Sequence, residues 1–113
     1  MKYRAIYYEQ KLKTAIEIII DTNKEFKTFE TLLNANHVNV IEHPEGFSII
    51  YDEEAYFKIN NVLINIEGLD YPLAGNIIIA GKINENNYLT GLNNNITLED
   101  INKKISYYAI IKK

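Results

Sequence analysis

The chain of 113 residues has no cysteine, which excludes disulfides, zinc-thiolate sites and iron-sulfur clusters and fits a reducing, cytoplasmic setting. Its apolar runs are only a few residues long, far short of the ~20 residues that cross a bilayer. Met1-Lys2-Tyr3-Arg4 lacks the apolar core of a signal peptide, so a soluble, untargeted protein is expected. Arginine occurs once, at Arg4, leaving little capacity for bidentate clamps on phosphate or carboxylate. An excess of positive charge is also missing: 15 acidic residues face 12 basic ones, a net charge of -3. No overall field draws the chain to nucleic acid or to anionic membranes, and neither is expected as a partner.

Catalytic constellations are scarce as well. Ser48 and Ser106 stand in apolar alternation with no nucleophile-elbow context, which argues against triad chemistry. Asp52, Glu53 and Glu54 are consecutive, so they point in different directions, and no second carboxylate cluster pairs with them for acid/base work or for a hard metal. His37 and His43 flank turns and read as surface residues. The chain is therefore expected to be no enzyme and to need no metal or cofactor.

The abundant residues are Ile, Asn, Lys and Tyr, a set that reports an AT-rich coding sequence more than a function. Their arrangement is informative. Leu69 to Gly81 combines a stiff turn around Pro72 with a wholly apolar run, Ile77 to Ile79, closed by Gly81. Such a run is a strand buried on both faces, with the other elements laid beside it. Lys2 to Glu9 and Thr14 to Asp21 alternate as a first hairpin, and Val38 to Glu42 and Phe47 to Tyr51 as a second, joined through His43-Pro44-Glu45-Gly46. Between them Thr22 and Glu25 have capping-box spacing ahead of Phe26, Phe29, Leu32 and Leu33, predicting a helix over 23–34 whose apolar stripe packs on the sheet.

Ile59 to Glu67 is ambiguous between helix and strand. Asn84 to Asn95 reads as a polar loop, and Thr97 with Asp100 opens a short helix carrying Leu98, Ile101 and Ile105. The tail from Tyr107 either extends that helix or adds an edge strand. The expected fold is α+β: a single domain over 1–113, with one mixed or antiparallel sheet, one main helix packed on it and a short C-terminal helix. Short strands with apolar residues on both faces predict a homo-oligomer, formed through a sheet face or the Tyr107 to Ile111 tail.

Tyr51-Asp52-Glu53-Glu54, Asn65, Asp70 with Pro72, Ala74-Gly75, the Ile77-Ile78-Ile79 run, Gly81, Leu92, and Thr97 with Glu99 and Asp100 form, in this order, a pattern spread over most of the chain. It resembles that of a family of small bacterial, prophage and phage proteins catalogued as domain of unknown function 3846. The resemblance implies a phage or mobile-element setting, with a host cytoplasm as the location, and implies no chemistry.

Tyr51, Tyr56, Tyr71 and Tyr88 all fall in or beside predicted loops bordering the central strand. Rings so placed can stack on bases, while Asn amides read base or ribose edges. Gly75-Asn76 and Gly81-Lys82 can present backbone amides to an anion with Lys82 as counter-charge, or simply permit turns and close packing. With Glu53 and Glu54 as the flanking acidic pair, these residues are the candidate ligand site. The expectation is a non-enzymatic binder that sequesters a small nucleotide-type immune signal. The alternative is a protein-protein inhibitor of a host defence or replication protein.

Overall fold

A computed structural model of the chain describes residues 1–112. The first hairpin consists of β1 (Lys2–Glu9) and β2 (Thr14–Asp21), followed by helix α1 (Glu25–Leu33). A second hairpin, β3 (Val38–Glu42) and β4 (Ser48–Asp52), leads to β5 (Val62–Ile66), β6 (Leu73–Ala74) and β7 (Ile77–Ala80). Helix α2 (Leu98–Lys104) and strand β8 (Ile105–Ile110) complete the order.

The apolar run that forms β7 occupies the middle of a five-stranded antiparallel sheet ordered β2-β1-β7-β4-β3. Ile79 lies opposite Ile6 on one side and Ile49 on the other. Because side chains alternate along a strand, Ile77 and Ile79 enter one core with Ile6, Phe47, Ile49 and Ile64. Ile78 and Ala80 enter a second core with Phe29, Leu33 and Ile50. Each of the three β7 isoleucines is buried, contributing roughly 1.5–3 kcal/mol by removal from water.

Where one sheet was expected there are two. β6, β5 and β8 form a separate three-stranded antiparallel sheet that covers the first core, while α1 covers the second. The ambiguous 59–67 segment supplies β5: Val62, Ile64 and Ile66 alternate into the core. The tail is β8 and no extension of α2, in keeping with the β-branched and aromatic content of Ile105-Ser106-Tyr107-Tyr108-Ala109-Ile110. It lies at the edge of its sheet and pairs only with β5 among the described residues.

Helix starts differ in how they were anticipated. Thr97 and Asp100 form the expected reciprocal capping box of α2. The Thr22–Glu25 box does not form. Asp21 caps a 3-10 turn over Thr22–Lys24 by accepting from the Asn23 amide, and α1 begins only at Glu25. Thr22 donates instead to the Met1 carbonyl, and Glu25 accepts from the Tyr3 hydroxyl. Phe26, expected in the buried stripe of α1, is exposed, and Phe29 and Leu33 carry the packing.

His43 is a correction of another kind. Expected on the surface, it is only 4% exposed. Its ring stacks on Phe47 with centroids 4.1 Å apart. Nδ1 accepts from the Glu45 amide at 3.0 Å and Nε2 lies 2.6 Å from the Glu67 carbonyl. Both ring nitrogens are therefore engaged by backbone, and the side chain ties the β3–β4 turn to the segment after β5.

Candidate functional site

The residues singled out from the sequence separate into four neighbourhoods. Tyr51, Tyr56 and Tyr71 do lie together, beside Glu53, and interact electrostatically. Tyr56 is committed to structure: its hydroxyl donates to the Pro72 carbonyl at 2.8 Å. Burial, reinforced by Tyr51 and Tyr71, pushes its phenol up to about 12. Burial likewise raises Tyr51, while Tyr71 is about half exposed. Glu54 turns away and contacts His37 Nδ1 at the surface. Asp52 turns inward, accepting from the Glu54 amide and pairing with Lys58 at 2.7 Å.

Gly75 and Asn76 belong to a second place, an amide network under the β1–β2 turn. Gln10 donates to Asn61 Oδ1 at 2.8 Å and accepts from the Val62 amide at 2.6 Å. Asn76 Oδ1 accepts from the Gln10 amide, and its Nδ2 donates to the Tyr7 hydroxyl. Gly75 has φ +80°, and a Cβ there would come within 3.2 Å of Ala55 Cβ. The adjoining cavity of about 160 Å³ is small beside the ~300–1,000 Å³ typical of ligand sites. This network joins the two sheets. Gln10 gave no sequence signal beyond polarity in a connecting turn.

Lys82 is elsewhere again. Its side chain lies over Gly46 and borders a hollow of about 300 Å³ shared with His43 and Ser48.

Tyr88 lines a cleft of about 590 Å³. Tyr3 from β1, Glu25 from the first turn of α1, and Asn84, Leu89 and Thr90 from the 81–91 loop surround it. That loop is shaped by local contacts. Asn84 Oδ1 accepts from the amides of Asn86 and Tyr88, Asn87 takes φ +66°, and Ile83 bridges to Leu89. Tyr88 is thereby presented with 68% of its surface free. Tyr3 donates to Glu25 Oε2 at 2.6 Å. Burial first, and then the Glu25 carboxylate, hold its phenol far above the ordinary tyrosine range.

A further slot of about 430 Å³ opens between β2 and β8, over Tyr8, Val62 and Ile64. There the Lys13 ammonium already sits 5.4 Å from the centre of the Tyr107 ring, so its cation and one of its aromatic faces are spoken for.

Sequence reasoning missed Tyr3, Glu25 and Asn84. Tyr3 looked like an ordinary strand residue, and Glu25 was assigned to a cap that does not form. Only Tyr88 carried a signal, as an aromatic in a polar loop. The Tyr3–Tyr88 cleft offers aromatic faces and fixed polar groups for binding. Among the described residues, no group of three or more His, Cys, Asp or Glu side chains is placed to hold a metal ion, and no helix is long and apolar enough to cross a membrane. No family model matches this chain, and neither a curated protein nor a solved structure is significantly similar to it.

Proposed function

We propose that this protein is a non-enzymatic binder that sequesters a small nucleotide-type ligand. The observation that carries the reading is the cleft of about 590 Å³ between Tyr3 and Tyr88. Its volume suits a ligand of that size, and the exposed Tyr88 ring offers a stacking face. The resemblance to phage and prophage proteins supplies the setting: removal of an immune signal by a device that consumes nothing. Such a device must bind tightly. A nanomolar Kd corresponds to about 12 kcal/mol, and one stacked ring supplies only ~1–3 of them. The remainder falls to hydrogen bonds within the cleft and to apolar contact with Leu89.

Native mass spectrometry of protein purified from cells with an active nucleotide-signalling defence, followed by heat release, tests this. A released, unaltered nucleotide in simple ratio to the chain supports sequestration. An empty protein that retains a host polypeptide overturns it in favour of a protein-protein inhibitor. That second reading is favoured by the uncharged edge strand β8, whose Tyr107, Tyr108 and Ile110 are each about half exposed.

A further inference from the structure

Three of the hydroxyl groups around the Tyr3–Tyr88 cleft direct their hydrogens into the protein. Tyr3 donates to Glu25 at 2.6 Å, Thr22 to the Met1 carbonyl at 3.0 Å and Thr90 to the Lys82 carbonyl at 2.6 Å. A hydroxyl has one hydrogen to give, so what these three residues retain for a ligand is lone pairs. The Glu25 carboxylate adds more: Oε2 already accepts from Tyr3, and Oε1 accepts no hydrogen bond among the described residues. The side-chain donors on the lining without a hydrogen-bond partner among the described residues are the Tyr88 hydroxyl at the exposed end of its ring, the Asn84 amide nitrogen and the Lys2 ammonium.

A cleft that sets a carboxylate with an open oxygen beside an aromatic wall selects a flat ligand whose edge carries paired N–H groups. We infer that, if the sequestration reading holds, the ligand enters base first and the base is guanine-like. Guanine carries N1–H and the N2 amino group side by side on one edge, a donor pair that matches the two oxygens of Glu25. Adenine places a ring acceptor where guanine has N1–H, and that acceptor would face the carboxylate. The phosphate is left at the mouth, on the Lys2 side, away from Glu25.

The test is an amide-resolved NMR titration with guanosine, inosine and adenosine monophosphates, read as Kd and as the set of amides that move. Inosine monophosphate keeps N1–H but lacks the N2 amino group. The guanosine nucleotide is expected to shift the amides of Glu25, Asn84 and Tyr88 and to bind about tenfold more tightly than the inosine nucleotide, with the adenosine nucleotide weaker still. Glu25→Gln keeps an oxygen for Tyr3 but removes the second acceptor, and it is expected to erase the preference for guanosine over inosine. Equal affinity for adenosine and guanosine, or a guanosine preference that survives Glu25→Gln, overturns the inference and leaves sequestration standing. No response of the cleft to any of the three nucleotides overturns both.

Discussion

Gly81 and Gly91 pack backbone to backbone: a Cβ on Gly81 would fall well inside contact distance of the Gly91 carbonyl oxygen and 2.8 Å from Thr90 Oγ1. The Gly81 amide donates to the Thr90 carbonyl at 2.8 Å, and the Leu92 amide to the Arg4 carbonyl at 2.9 Å. The loop that presents Tyr88 is thus clamped onto the end of β7 and onto β1. Gly81→Ala should cost about 3 kcal/mol, because the methyl group meets backbone that cannot rotate aside. A urea midpoint within experimental error of the parent would refute the clamp. The closing glycine was visible in the sequence, which left its role open between an anion-facing amide, a turn and close packing; it serves close approach and has no positive φ.

Gln10 is 6% exposed and ties the end of β1 in one sheet to the start of β5 in the other. Gln10→Leu keeps the side-chain bulk but strips the Val62 amide of its acceptor and Asn61 Oδ1 of its donor. A loss of about 2 kcal/mol is expected, the cost of buried polar groups left unpaired. Chemical denaturation measures it, and a loss below about 0.5 kcal/mol would mean that the network contributes little.

Ser48 makes the opposite case. It is fully buried, and its hydroxyl has no hydrogen-bond partner among the described residues. Ser48→Ala should be neutral or stabilise by up to about 1 kcal/mol, since a desolvated hydroxyl without a partner opposes folding. A clear drop in Tm would show that the hydroxyl is satisfied in solution.

Alkaline pH should unfold the protein through its tyrosines. Tyr56 is held up to about 12 in the folded chain, and Tyr3, Tyr7, Tyr8 and Tyr51 are raised in the same direction, in each case chiefly by burial. A phenol whose pKa is higher when folded binds its proton more tightly there. Its contribution is fully present below the unfolded value of about 10 and is lost as pH rises towards the folded value of about 12. Denaturant midpoints should be flat up to about pH 9 and then fall, with phenolate absorbance rising as structure is lost. Independent ionisation of every tyrosine near the ordinary value, with no loss of structure, would contradict this.

Gly68→Ala tests the buried histidine. Gly68 has φ +99°, and a Cβ there would lie 2.5 Å from His43 Nε2, pushing the ring off the Glu67 carbonyl. Strain and clash together should cost about 3 kcal/mol, read as a lower Tm and as displaced His43 ring resonances. An unchanged His43 environment would remove this segment from the list of structural ties.

Local order and its periodicities were legible in the chain. The two hairpins, the α1 stripe apart from Phe26, the capping box of α2 and the doubly buried strand β7 follow from alternation, cap spacing and turn residues within a few positions of one another. Tertiary structure alone decided the rest. Whether 59–67 and the tail are strands depends on partners distant in sequence, since β5 pairs with both β6 and β8 and its alternation acquires a face only by packing on the core. His43 is buried because Phe47 and the Glu67 carbonyl meet it, and Glu25 leaves its helix cap because Tyr3 reaches it first. The candidate cleft gathers Tyr3, Glu25 and Tyr88 from three separated stretches. Contacts between residues far apart in sequence leave no periodic trace in the chain, so sequence alone revealed the β-strand that organises the fold and not the cleft beside it.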